Sequence, residues 1–311
     1  MMNESLSQAN YCRVIFDLEF QEPFLLEKGM MLRLRREFKR VSRTASNDPI
    51  DQAWLETLLE PDLSADPFAR RLYQKPSPRF VLKPFKEENL DLDAGDQFSL
   101  EVLFFGECGA QISTFCSLLR RLGRLGLYRG EGKFELINLG AFDQAENLSR
   151  VPIPDDDRPA VSLPLRPLAW QIDSSQNLAA GLRLRFETPA RLLSNNKPTF
   201  KPNFHDIFPF MLRRVTSMLY TCYGIEMVDD AQYLVDRVSE IETVSSELYW
   251  HDWRTMEGDK WQDIGGIVGI IHLGRIDIDE VLNVIVMSSL FHIGKSASYG
   301  CGSISLELAP R

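Results

Sequence analysis

Val14, Phe16, Leu18 and Phe20 alternate with Arg13, Asp17 and Glu19, broken only by Ile15, until Pro23 intervenes, the period-two pattern of a half-buried strand entering a turn. The same wave returns at Leu182, Leu184 and Phe186, interleaved with Arg183, Arg185 and Glu187, and Pro189 follows Phe186 as Pro23 follows Phe20. Helical stripes lie between these strands: Met31, Leu34, Phe38 and Val41; then Ile112, Phe115, Cys116, Leu119 and Leu122; then Phe208, Met211, Leu212, Val215, Met218 and Leu219. The pattern predicts strands over 12–20, 79–85, 97–106 and 133–139 with helices over 29–44 and 110–124 in the first half. In the second half it predicts strands over 182–188, 238–253, 260–275 and 303–308, a helix over 205–222, and a helix opening at an Asp277-to-Glu280 capping box.

The two halves are related. GLYRGEGKFELINL (126–139) and GKSASYGCGSISLEL (294–308) both run from G-x-G into an alternating strand, so that Gly130 and Gly132 correspond to Gly300 and Gly302. Phe20 and Phe186 are 166 residues apart and Gly130 and Gly300 are 170 apart, so two units of nearly equal length repeat throughout. Each carries the β-α-β-β-α-β order of a ferredoxin-like (RRM-like) fold, and the expected class is α+β with two such domains in tandem. The expected boundaries are 1–150 for the first domain and 179–311 for the second. Residues 151–178 join them, with five prolines between 151 and 168, a composition that predicts an extended connector. Residues 45–78 interrupt the first half, with a short helix expected near 50–59.

Composition narrows the function. The chain is 44% hydrophobic and 25% charged over 311 residues, with a net charge of -9, so a nucleic acid would have to meet a locally basic face. Arg33, Arg36, Arg40 and Arg43, three or four apart, supply one, although a solvated helix face would show the same spacing. Five cysteines contain no C-x-x-C pair, which argues against a disulfide framework and a zinc site and for reduced thiols in the cytoplasm. No apolar run approaches the roughly 20 residues of a membrane-spanning helix, and no signal-peptide pattern opens the sequence, so a soluble cytoplasmic protein is expected.

PRFVLKPF, GDQFSLEVLFFGE, LLRRLGRLGLYRGEGKFELINL, LRLRFETPARLL, ELYWHDW and HIGKSASYGCGSISL, in this order and spacing, resemble the CRISPR-associated endoribonucleases of the RAMP superfamily that mature guide RNAs. The resemblance implies tandem ferredoxin-like domains that bind a CRISPR repeat RNA, cut its backbone and retain the guide. It implies 2′,3′-cyclic phosphate and 5′-hydroxyl ends, no metal and no cofactor. Repeat RNA is the implied partner, together with other CRISPR effector or adaptation proteins, in antiviral defence. Family members often place a catalytic histidine in or near the first helix, whereas residues 1–204 here contain none. An inactive RNA-binding subunit of an effector complex is therefore the second reading.

Metal-free RNA cleavage needs a base for the 2′-hydroxyl, an acid for the leaving oxygen and cationic or amide donors for the phosphorane. His205, His251, His272 and His292 are the available imidazoles. His292 is the first expectation, at a helix end beside Lys295, with Tyr299 as a proton donor or stacking ring and Ser296 and Ser298 as phosphate ligands; capping of its own helix is the competing role. His251 is the second, within LYWHDWR, where Tyr249, Trp250 and Trp253 suit base stacking and Arg254 suits phosphate. His272 reads as a packed strand residue and His205 as a helix start. The expected RNA contacts are Arg33, Arg36, Arg40, Arg120, Arg121, Arg124, Arg129 and Lys133, then Lys197, Lys201, Arg213 and Arg214, with the amides of Gly300 and Gly302 approaching phosphate. Acidic residues including Asp155 to Asp157 are expected to face elsewhere.

Overall fold

A computed structural model describes all residues except 1, 45–48, 63–64, 66–75, 86, 88, 155–161, 195, 227–229, 258–259 and 310–311. In chain order its elements are α1 (Met2–Gln8), β1 (Asn10–Phe20), β2 (Phe24–Glu27), α2 (Met31–Thr44), α3 (Pro49–Leu59), β3 (Phe80–Leu82), β4 (Asn89–Leu92) and β5 (Gln97–Phe105). Then come α4 (Cys108–Leu125), β6 (Phe134–Phe142), β7 (Leu148–Val151), β8 (Arg166–Pro167), α5 (Leu168–Ser174), β9 (Leu182–Ala190), β10 (Leu193–Ser194) and β11 (Lys197–Pro198). The chain ends with α6 (Phe204–Tyr223), α7 (Ala231–Val238), β12 (Thr243–Glu257), β13 (Lys260–Leu273), α8 (Asp279–Phe291) and β14 (Ile304–Leu308). Two compact units result: Asn10–Arg166, and Met1–Ala9 together with Pro167–Arg311.

In the unit Asn10–Arg166 the sheet runs β3-β5-β1-β6-β7, with β1 antiparallel to both neighbours; Val14 stands opposite Val102 on one side and Ala141 on the other. Its period-two pattern buries Cys12, Val14, Phe16, Leu18 and Phe20. Helices α2, α3 and α4 pack on one another. Phe115 of α4 is the centre of this core, with the rings of Phe16, Phe38, Phe80 and Phe104 at 5.2, 5.6, 5.3 and 5.3 Å. Tilted and edge-on aromatic contacts at these spacings are the favoured ones.

The second sheet runs β12-β13-β9-β14. Numbering β1, β3, β5 and β6 of the first sheet and β9, β12, β13 and β14 of the second in chain order, both read second, third, first, fourth, which is the ferredoxin-like order, with β7 and β8 added to the first, so the fold is α+β with tandem ferredoxin-like units. Helix α8 is buried on almost every side, from Val281 to Ser288 and again at Leu290 and Phe291. Helix α6 packs against it and opens with a true capping box: the Asn203 side chain accepts from the Asp206 amide at 3.0 Å, and Asp206 Oδ2 accepts from the Asn203 amide at 3.1 Å. The amino-terminal helix α1 packs on α5 within this unit, and the Leu168 amide donates to the Ala9 carbonyl at 2.8 Å.

Several local expectations are corrected. Residues 168–174 are helical and 176–180 form a 3-10 turn instead of an extended connector, because Leu168, Ile172 and Leu178 bury their side chains and draw this stretch onto a core. The strand expected from residue 238 begins at Thr243. Before it, Asp230 caps α7 by accepting the Tyr233 amide at 3.0 Å, and Leu234 and Val238, one helical turn apart, are both buried. The box expected at Asp277 does not form: Asp277 pairs with Arg275, and α8 starts after Ile278 with no side-chain cap. The helix expected near 50–59 is α3, with Pro49 at its first position. Asp155 to Asp157 lie outside the described residues.

Candidate functional site

After α8 the chain must reverse into β14 within a dozen residues, and the reversal is built from left-handed backbone. His292, Gly294, Ser296, Gly300 and Gly302 have φ of 55, 84, 61, 90 and 59°. His292 and Ser296 hold this conformation without being glycine, which costs on the order of 1 kcal/mol each. At Gly302 a Cβ would fall 1.9 Å from the Ile293 carbonyl oxygen, so only glycine closes the turn.

Other elements brace it. The Lys295 amide donates to the Arg191 carbonyl at 3.1 Å, and the Gly302 amide to the Pro189 carbonyl at 3.1 Å. Thr188 Oγ1 donates to the Gly300 carbonyl at 2.7 Å and accepts the Ser303 amide at 2.9 Å. From α6, Arg214 donates to the Phe291 carbonyl from both Nε and Nη2 at 3.1 Å, and from Nη2 to Ser298 Oγ at 3.0 Å. Burial pushes the Arg214 guanidinium down to about 10, which leaves it charged at neutral pH. Cys301, inside the turn, is pushed up to about 12 by the same cause.

This construction reassigns several sequence expectations. The amides of Ile293, Lys295, Tyr299, Gly300, Gly302 and Ser303 are all committed to protein acceptors, so Gly300 and Gly302 shape the turn and do not present N–H groups to phosphate. His292 is 0% exposed and Tyr299 3%, so both sit inside the turn, away from any strand at the surface. Ser298 is buried as well. Lys295 is exposed at the turn's outer edge. Arg214, half-buried, is engaged in bracing the turn, while its neighbour Arg213 is exposed and lies over the Phe210 ring at 5.2 Å.

Among the remaining histidines, His251 is exposed on β12 opposite Gly266. Trp253 is buried, Tyr249 is exposed, and the Arg254 side chain lies outside the described residues. His272 is half-buried with Nδ1 3.2 Å from Ser245 Oγ. His205 is exposed in the first turn of α6. Lys197, at the start of β11, and Lys201, three residues beyond its end, are both exposed.

The first unit has its own glycine turn over 126–133. Tyr128 and Glu131 exchange backbone hydrogen bonds at 3.1 and 2.8 Å, and Gly132 lies so close to the Phe24 ring that a Cβ would come within 2.8 Å. Arg33 stacks over the Tyr128 ring at 4.4 Å and Arg129 lies 5.2 Å from it. Arg40 joins the cluster, donating to the Gly126 carbonyl at 3.2 Å and to Glu37 at 2.7 Å. Arg36, Arg124, Arg129 and Lys133 are exposed, whereas Arg120 and Arg121 are half-buried on α4. Arg33, Arg40 and Arg129 are therefore brought together, and Arg120, Arg121 and Arg124 form a separate row.

Residues 184–304 match the family model described as CRISPR-associated endoribonuclease Cas6. A second model, described as an N-terminal domain, matches residues 10–164. The Cas6 likeness in sequence thus lies in residues 184–304. The architecture of the chain is shared with solved Cas6 structures. A partial Cas6-RT-Cas1–Cas2 complex aligns over 97% of this chain with a TM-score of 0.59 at 11% identity, and there this chain spans only 47% of the larger protein. Thermus thermophilus Cas6 aligns over 96% of this chain and 99% of its own at a TM-score of 0.50 and 13% identity; a Cas6 product complex does so over 96% and 100% at 0.50 and 16%. At these identities the likeness is one of fold. No curated protein matches the chain. Among the described residues no helix is long and apolar enough to cross a membrane, and no group of three or more His, Cys, Asp or Glu is placed to hold a metal ion.

Sequence reasoning missed Thr188 and Tyr128. Thr188 is a buried polar residue in an otherwise apolar strand end, and Tyr128 is an aromatic residue directly preceding the R-G-x-G of the first turn. Both are legible signals once the turns are recognised.

Proposed function

We propose that the chain binds a CRISPR repeat RNA and cuts it by transesterification, without metal, leaving a 2′,3′-cyclic phosphate and a 5′-hydroxyl and retaining the guide. In this reaction the 2′-oxygen bonds to the adjacent phosphorus, the bond from phosphorus to the 5′-oxygen breaks, the 2′-hydroxyl proton passes to a base and an acid protonates the leaving oxygen. The observation that carries the reading is the braced turn of 292–303, which holds the Lys295 ammonium in solvent on a backbone tied to Arg191. A cation carried on a fixed backbone in this way stabilises the phosphorane.

His251 is the imidazole we assign to proton transfer, because it is exposed on β12 whereas His292 is enclosed. It stands opposite Gly266, whose Cα lies against the Ala190 backbone, and Arg191 receives the Lys295 amide. His292 and Tyr299 then act as positioning residues within the turn. In the first unit, Arg33, Arg129 and the exposed Arg36, Arg124 and Lys133 supply the phosphate contacts that an acidic protein otherwise lacks. The likeness to the Cas6-RT-Cas1–Cas2 complex extends the proposed partners to CRISPR adaptation proteins.

The lack of any histidine before His205, together with the enclosure of His292, favours a second reading in which the chain holds guide RNA without cutting it. Incubating the protein with end-labelled repeat RNA in EDTA separates the two. One discrete product is expected; a shifted band with uncut RNA supports the clamp.

A further inference from the structure

The long hairpin of β12 and β13 and the short one of β10 and β11 carry an aromatic pair that the cleavage chemistry does not use. Phe200, 55% exposed, follows β11 by two residues, and its ring centroid lies 4.5 Å from that of Trp250 at an interplanar angle of 48°. The indole is fixed. Its Nε1 donates to Asp252 Oδ1 at 2.7 Å, and on the facing strand the residue opposite Asp252 is Gly265. A Cβ at Gly265 would fall 2.5 Å from the indole Cζ2 and Nε1 and 2.0 Å from Asp252 Oδ1, so the absence of a side chain there is what seats the ring against β13.

We propose that Trp250 and Phe200 form a stacking platform for one unpaired base of bound RNA, adjoining the glycine-rich turn. This rests on the RNA-binding reading above and deepens it by naming the form of RNA recognised, a single-stranded segment next to the phosphate held at Lys295. A ring already held by a hydrogen bond and a carved seat loses little freedom when a base stacks on it. Every base has a π-face, so such a platform tolerates sequence.

Position and charge favour RNA over a protein partner. The Thr199 amide donates to the Leu192 carbonyl at 3.1 Å and the Lys295 amide to the Arg191 carbonyl at 3.1 Å, so the platform and the turn spring from neighbouring residues. Lys197 and Lys201, both exposed, flank Phe200 and suit the phosphates on either side of a stacked base. An apolar protein contact would gain little from these ammonium groups.

The test is a salt-resolved titration of fluorescently labelled single-stranded repeat RNA, and of a blunt duplex, against the full chain and its Phe200→Ala, Phe200→Tyr and Trp250→Ala variants. Phe200→Ala is expected to weaken single-stranded binding about 5- to 150-fold without changing the salt slope. Phe200→Tyr should restore it, and duplex binding should not move. Because Phe200 is exposed, its variants should melt with the unaltered protein, which separates lost stacking from lost fold. Unaltered protein that binds RNA alongside variants that bind equally well overturns the platform alone. Equal losses for duplex, or impaired binding of a CRISPR protein with RNA affinity intact, overturn it too. No RNA binding by the unaltered chain overturns both this inference and the reading beneath it.

Discussion

Arg214 grips the carbonyl of Phe291 with two nitrogens at 3.1 Å each, so a residue on α6 holds the last turn of α8 at the point where the glycine-rich reversal begins. Its Nη2 also reaches Ser298 Oγ at 3.0 Å, within the reversal itself. Arg214→Ala is expected to cost about 2–3 kcal/mol of stability, the range for losing charge-assisted hydrogen bonds and leaving an enclosed carbonyl unpaired. Arg214→Lys should recover only part of this, since an ammonium cannot reproduce the fork. Denaturant melts of the three proteins check the ranking; a lysine variant as stable as the original would show that charge alone matters.

In the first unit, Arg33 and Arg129 both lie against the Tyr128 ring. Replacing both by alanine should weaken repeat RNA binding in a salt-dependent way, while affecting unrelated RNA sequences equally. The salt slope should fall by about one for each phosphate that the variant no longer neutralises. Titrations at several salt concentrations read this directly. An unchanged slope would assign these guanidiniums to packing on the tyrosine.

Cysteine reactivity reports whether the second turn stays closed. Burial pushes Cys301 and Cys116 up to about 12, and reaction requires the thiolate, so both should resist alkylation near pH 8. Cys12 and Cys108 are also buried, leaving the half-exposed Cys222 as the thiol expected to react first. Peptide mass spectrometry after brief alkylation identifies it. Labelling of Cys301 at the rate of Cys222 would mean that the turn opens readily.

For the chemistry, Lys295→Ala and His251→Ala are each expected to slow single-turnover cleavage by about 100-fold or more. His251→Ala should leave RNA affinity nearly unchanged, because proton transfer and binding are separate tasks. If His292→Ala alone abolishes cutting while the melting curve holds, the imidazole inside the turn is the acid or base and the turn must open around RNA.

Much of this molecule can be read from residue patterns. The alternation at Val14 to Phe20 and at Leu182 to Phe186 marked the central strand of each sheet, and the paired glycines marked both turns, because period two and obligatory positive φ leave local traces. What stayed hidden depends on tertiary geometry. Arg213 and Arg214 are adjacent on α6, and their hydropathy is the same, yet one faces solvent and the other braces a turn whose contacted residue, Ser298, lies 84 residues onward. His292 looked like a helix-end imidazole open to ligand, but the close approach of Gly302 to Ile293 folds the turn over it. The helix at 231–238 escaped notice because Asp230 acts as a lone cap without a partner acid three residues on.

The central claim is that the chain cuts repeat RNA through the neighbouring 2′-hydroxyl and without metal. The most direct measurement uses a repeat RNA carrying a single 2′-deoxy nucleotide immediately upstream of the cut, incubated with the full chain in EDTA. The expected result is that this RNA binds as tightly as the unmodified one and remains whole, while the unmodified RNA yields a product ending in a cyclic phosphate. Cleavage of the deoxy substrate at that position, or no cleavage of the unmodified RNA at saturating protein, would contradict the account.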